Sequence, residues 1–256
     1  MHQSAATSPS APAPLLEIDD VHKTFGGVHA VTGCHFALQS GTITGLIGPN
    51  GAGKTTLFNV VTGFTRPRKG SRIVFDGLEI TGLKPETLAR RGLCRTFQIT
   101  KPFGNITVLE NVMIGALCRG MSPKAARRKA EEVLDFVGLA EKGGTIGRNL
   151  TISDRKRLEM ARGLATGPKL FLLDEVMAGL TPSELQEMMG LIGRMRDSGI
   201  TLFIIEHVMA AIMKLSQRVI VLDYGRMICS GDPAEVSCNP DVIKAYLGED
   251  YLGAHG

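Results

Sequence analysis

Apolar and polar positions along this chain change period several times, and each change marks an element. LLEIDDVHKTFGG, from Leu15, predicts a strand ending in a Gly-Gly turn, and VHAVTGCHFALQ alternates as a half-exposed antiparallel strand does. Thr42–Ile47 is a short apolar run followed by a glycine-rich loop, and apolar positions then recur at helical spacing from Thr56 to Gly63. SRIVFDG and LEITG predict a hairpin about Asp76-Gly77. Ser122 is an N-cap with Pro123 at the first helical position. After it, Ala126, Ala130, Val133, Leu134 and Val137 form one apolar helix face that Gly138 ends. Lys124, Arg127, Arg128, Lys129 and Glu131 fall on the opposite face, which reads as solvated rather than as an anion site. Leu170–Leu173 and Ile200–Ile205 are runs of the kind buried strands show. Between them Thr181-Pro182-Ser183-Glu184 is a capping box opening a helix through Arg196. RVIVLDYGRMIC predicts a hairpin at Tyr224-Gly225, and Asp232-Pro233 and Asn239-Pro240 open two short helices. Strands alternating with helices imply an α/β core with a parallel sheet, and the hairpins add antiparallel pieces.

A length of 256 residues with 43% hydrophobic positions suits one compact unit, or one domain carrying an inserted subdomain. A net charge of +4 is too weak for the concentrated basic stripe of a nucleic-acid binder, so nucleic acid is not expected as a partner. Cys34, Cys94, Cys118, Cys229 and Cys238 are scattered without C-x-x-C spacing. They predict neither a disulfide framework nor a zinc site, and as reduced thiols they suit the cytosol. No apolar run reaches the ~18 residues a membrane helix needs. Residues 1–14, rich in Ser, Ala and Pro, lack the apolar centre of a signal peptide and read as a disordered tail. Work at a membrane would therefore require a membrane-spanning partner.

The glycine-rich loop is the first candidate for chemistry. GPNGAGKTT, comprising Gly48, Pro49, Asn50, Gly51, Ala52, Gly53, Lys54, Thr55 and Thr56, fits the phosphate-loop pattern between a strand and a helix. Backbone N–H groups must converge on phosphate oxygens there, and glycines keep the approach open. The helix beginning near Lys54 directs its positive end at the anion, Lys54 adds a full charge at the β- and γ-phosphates, and the Thr55 hydroxyl suits Mg²⁺. Asp174 and Glu175 end a buried strand, at the edge where parallel sheets hold ligands. There Asp174 suits Mg²⁺ through water and Glu175 suits the water attacking the γ-phosphate, although an acidic pair at a strand end is also an ordinary surface feature. His207 follows another buried strand at the same edge. It reads either as a turn residue or as a contact to the γ-phosphate. Gln98, in CRTFQITKPF, could reach Mg²⁺ or the attacking water, but alone it is a bland loop glutamine.

This ordered set resembles the ABC ATPases from Leu15 onward, and most of all the ATPase subunits of branched-chain amino acid importers. FGGVHAVTG, LIGPNGAGKTTLFNVVTGF, CRTFQ with TVLENV, and DPAEVSCNPDVIKAYLG carry the closer match, the last being the most diagnostic. The resemblance implies an α/β fold: a P-loop NTPase core with a parallel sheet, an antiparallel β subdomain, and an inserted helical subdomain at roughly 100–167 within a domain spanning 15–256. It implies ATP and Mg²⁺ as ligands, with Phe25 stacking on adenine (a core aromatic is the alternative), Gln98 coupling nucleotide to permease, and His207 on the γ-phosphate. It also implies two ATPs held between head-to-tail protomers, membrane permease subunits docked near Gln98–Asn111, and an external solute-binding protein, with the chain on the cytoplasmic face of the membrane.

The signature segment departs from the family's Leu-Ser-Gly-Gly-Gln. Leu150-Thr151-Ile152-Ser153-Asp154 stands there, so Thr151 keeps a hydroxyl for the partner's ATP while Ser153 occupies a glycine position, where the backbone must either pass close to phosphate or adopt a glycine conformation. Val176 replaces the usual Pro, and Thr181 the usual Asn or Asp. The partner ATPase is then either a second copy or a paralogue with an unequal site. A soluble non-transport ABC ATPase and an ATP-dependent regulatory subunit are the competing readings.

Overall fold

Two sheets share one helix between them, and that sandwich holds the glycine loop. The computed structural model describes residues 13–96 and 103–247. Residues 1–12 of the tail expected at 1–14, and Gly248 at the end of the diagnostic C-terminal stretch, lie outside them. β1 (Leu16–Phe25) and β2 (Val28–Leu38) pair antiparallel around the Gly-Gly turn. β3 (Ile43–Ile47), buried throughout, runs into the loop and then α1 (Lys54–Val61). β4 (Arg72–Phe75) and β5 (Leu78–Glu79) form the hairpin expected at Asp76-Gly77. Next come α2 (Pro85–Arg90) and β6 (Leu93–Arg95), a three-residue strand too short for a sequence period to announce.

The helical stretch comprises α3 (Val108–Leu117), α4 (Pro123–Val137) and α5 (Ile152–Leu164). Ser122 caps α4 through the Ala125 N–H and Gly138 ends it in the left-handed region, as the pattern predicts. The basic face of α4 is exposed and laced by Arg127–Glu131 and Arg128–Glu132 pairs one turn apart. Then follow β7 (Leu170–Asp174), α6 (Pro182–Asp197) with its Thr181–Glu184 capping box, β8 (Thr201–Ile205), and α7 (Met209–Leu215). β9 (Arg218–Asp223), β10 (Arg226–Gly231), α8 (Pro233–Ser237) and α9 (Pro240–Leu247) close the described chain.

The main sheet has the order β10-β9-β3-β8-β7-β6, parallel except for β10, and the smaller antiparallel sheet runs β2-β1-β4-β5. Alternation along the buried strands sorts side chains to two cores. Leu46, Leu172, Phe203, Ile205, Ile220 and Leu222 face α1 and the small sheet, with Phe58 of α1 stacked 5.0 Å from Phe203. Ile47, Leu173, Leu202, Ile204 and Val221 face the opposite core, which includes residues of α3 to α7. Both faces of the main sheet are thus dry, and β3, β7 and β8 deliver their C-terminal ends to one edge.

Candidate functional site

At that edge the loop after β3 is shaped by its own neighbours. Gly48 has φ 149° and Gly53 φ 99°, and a Cβ on either would strike backbone: the Leu222 carbonyl for Gly48, the Ala30 carbonyl for Gly53. The glycine requirement at these two positions is therefore internal to the fold as well as a matter of ligand access. Lys54 is buried, and its Nζ donates to the carbonyls of Gly48 at 2.6 Å and Pro49 at 2.9 Å, strapping the loop. Burial pulls its ammonium below the usual lysine range, against the opposing pull of Glu175 and Asp174.

Asn50 to Thr56, Val28 to Ala30, Glu175, His207 and Tyr224 line one cavity of about 420 Å³. Glu175 and His207 meet in it, with Glu175 Oε1 2.7 Å from His207 Nε2. Glu175 carries φ 51°, a left-handed conformation that costs a non-glycine residue ~1–3 kcal/mol and persists only where its surroundings impose it. A larger cavity, about 740 Å³, lies on the other side of the loop against α9. It lacks Lys54, Glu175 and His207, so the chemistry belongs to the smaller one. Tyr246 of α9 reaches the loop, its Oη accepting from the Gly48 N–H at 2.7 Å.

Asp174 lies behind the cavity, 1% exposed. Its Oδ2 accepts from Arg95 at 2.7 Å, and Arg95 also donates to Asn59 Oδ1 and lies over the Phe58 ring. Burial raises the Asp174 carboxyl above the usual range, with Arg95 opposing. Asp174 Oδ1 is buried without a hydrogen-bond partner among the described residues. An orphaned carboxylate oxygen beside a phosphate loop fits a magnesium-bound water. Among the described residues no group of three or more acidic, His or Cys side chains could hold a metal ion. Arg95 went unread because β6 is so short. Gln98 lies outside the described residues.

The sequence profile described as ABC transporter matches residues 31–178, and that described as branched-chain amino acid ATP-binding cassette transporter matches residues 226–252. The chain belongs to the ABC transporter ATP-binding family. The high-affinity branched-chain amino acid transport ATP-binding protein BraF of Pseudomonas aeruginosa is 37% identical over 252 residues, covering 92% of this chain and 98% of BraF. LivG of Escherichia coli K12, of the same description, is 38% identical with the same coverage. A crystal structure of a nucleotide-free ATP-binding cassette from an ABC transporter superposes with TM-score 0.84 at 31% identity, covering 93% of this chain and all of the other. The ADP conformation of such a cassette superposes equally well. This chain is an ABC ATPase, with the P-loop NTPase core, parallel sheet and antiparallel sheet expected of the fold.

The altered ABC signature forms an ordinary helix start. Thr151 caps α5, its Oγ1 accepting from the Asp154 N–H and donating to Asp154 Oδ2 at 2.9 Å. Burial, which would raise the Asp154 carboxyl, is outweighed by Lys142, 2.5 Å away, and by Thr151, and the carboxyl sits below its usual range. Ser153 lies buried inside the first turn of α5 and is not among the residues with positive φ. A glycine conformation at Ser153 is thus not required, because the segment is already helical there. Val176 is 3% exposed and packs in the core, which explains an apolar residue at that position. Phe25 is 50% exposed at the end of β1, with Lys23 Nζ 4.7 Å above its ring. It is therefore not a core aromatic. It pairs with Val28, whose strand lines the cavity.

Proposed function

We propose that this ABC ATPase energises import of branched-chain or related amino acids from the cytoplasmic face of the membrane. The C-terminal match at 226–252 and the names of the relatives support the substrate class. The chain acts on membrane permease subunits, a reading that the transport ATP-binding names of the relatives support. They dock near Gln98–Asn111, beside a helical subdomain at roughly 100–167, and an external binding protein supplies the solute.

The observation that carries the hydrolytic mechanism is the Glu175–His207 pair facing Lys54 across one cavity. Gly48 through Thr56 wrap the triphosphate with backbone N–H groups at the start of α1. Lys54 exchanges the Gly48 and Pro49 carbonyls for the β- and γ-phosphates, and Phe25 stacks on adenine. Thr55, Asp174 and Gln98 would hold Mg²⁺, which would supply positive charge against that developing on the γ-phosphoryl oxygens. Glu175 orients the attacking water and accepts its proton, while His207 steadies that carboxylate and contacts the γ-phosphate. Thr151 and Ser153 present the α5 N-terminus to the ATP of a second subunit, a copy or a paralogue.

Glu175→Gln should keep ATP affinity within about twofold and cut turnover about 100-fold or more. Turnover near wild type would move the water-orienting role elsewhere. The substrate class is read separately, from leucine, isoleucine and valine uptake in cells carrying Lys54→Ala. Undiminished uptake would reject it.

A further inference from the structure

Two buried charged side chains that the mechanism does not use touch the turn that carries Glu175. Lys156, on the second turn of α5, is 8% exposed. Its Nζ donates to the Glu175 carbonyl at 3.1 Å and to the Ala178 carbonyl at 2.6 Å, so one ammonium spans both ends of a four-residue turn. Glu206, the residue before His207, is 1% exposed, and its Oε1 accepts from the Met177 N–H at 2.6 Å. The Glu175 N–H is tied to the Ile205 carbonyl at 2.9 Å. The backbone around Glu175 is thereby held from α5 on one side and from the end of β8 on the other. The same β8 end supplies His207 to the carboxylate.

This hold has a reason in the backbone. Glu175 sits at φ 51°, a conformation that non-glycine residues keep only when neighbours over-determine it. A buried ammonium is costly unless hydrogen-bonded, and a methionine would fill comparable space without that cost. Both hydrogen bonds of the Lys156 ammonium go to this turn.

We infer that Lys156 and Glu206 are positioning residues for Glu175, clamping the 175–178 turn so that its carboxylate stays beside His207 and over the phosphate loop. Through Lys156, α5, whose N-terminus forms the signature segment, is strapped to the backbone that carries the hydrolytic carboxylate of its own subunit. Movement of α5 is therefore felt at Glu175 without passing through the nucleotide. The inference rests on the role assigned above to Glu175.

The test uses the purified full-length chain with Mg-ATP, comparing wild type, Lys156→Met, Lys156→Arg, Glu175→Gln and the Lys156→Met/Glu175→Gln double variant. Turnover, KM for ATP and amide hydrogen exchange of peptides covering 175–180 are measured in each. Lys156→Met should lower kcat about tenfold or more, leave KM within about threefold, and speed exchange across the turn, while Lys156→Arg restores most of both. In the Glu175→Gln background the same substitution should lower turnover no further, because it acts through a group already removed. Unchanged exchange across the turn, or a kcat loss that multiplies with that of Glu175→Gln, overturns the clamp. Full turnover by Glu175→Gln alongside faster exchange in Lys156→Met would instead overturn the role of Glu175 and leave the clamp standing. Should Lys156→Met fail to fold, Lys156→Gln and Glu206→Leu carry the same measurements.

Discussion

Single atoms decide much of this site. A methyl group at Gly53 would meet the Ala30 carbonyl in a backbone conformation that alanine avoids. Gly53→Ala should therefore destabilise the protein by about 2 kcal/mol or more and weaken ATP binding together with it, as thermal unfolding and nucleotide titration would record. Glu206 gives a pH signature. Burial pushes its carboxyl up to about 7 from an ordinary 4.5, against the Met177 N–H and Lys156. Its folded value lies above its unfolded one, so its contribution to stability is full below about 4.5 and is lost as pH rises through about 7. Between pH 5 and 8, wild type should lose up to ~3 kcal/mol of stability relative to Glu206→Gln, seen in paired denaturant curves. Parallel curves across that range would mean the carboxyl titrates normally.

At the scale of elements, α9 brings its C-terminal end to the phosphate loop. Tyr246 accepts from the first N–H of the loop, and burial holds its hydroxyl in the protonated form, above the usual tyrosine range. Tyr246→Phe removes that acceptor alone, so ATP affinity should fall about two- to tenfold with little change in melting temperature, the scale of one neutral hydrogen bond. An unchanged affinity would mean the loop keeps its shape without α9. In α5, Thr151 caps the helix, and its hydroxyl and Lys142 both donate to the Asp154 carboxylate. Asp154→Ala should cost about 1 kcal/mol in chemical denaturation. Of these elements, α4, α6, α8 and the hairpins could be read from caps, proline and turn glycines, because those signals are local. β6 and the Lys156 bonds could not. Three residues carry no period, and a lysine two positions past Asp154 looks like any helical charge until β7 and its following turn are packed beneath it.

For the whole molecule, two ATP sites shared between subunits follow from the proposed function, and mass in solution tests it. Glu175→Gln with Mg-ATP should shift scattering to twice the 27.4 kDa monomer if the Thr151–Asp154 helix start can serve a second copy's nucleotide. A nucleotide-bound monomer would point to a paralogue with an unequal site.

The sequence alone placed the glycine loop, Asp174-Glu175 and His207 at the ends of buried strands within an alternating α/β order. It could do so because glycine spacing, buried runs and helix caps are properties of neighbours along the chain. Only the tertiary structure decided that Arg95 pairs with Asp174, that Glu175 rests against His207 under a clamp from Lys156 and Glu206, that Tyr246 seats on Gly48, and that Ser153 is simply helical. Those contacts join residues from 19 to 198 positions apart, and in the Glu175 turn they impose a backbone conformation that local preference opposes.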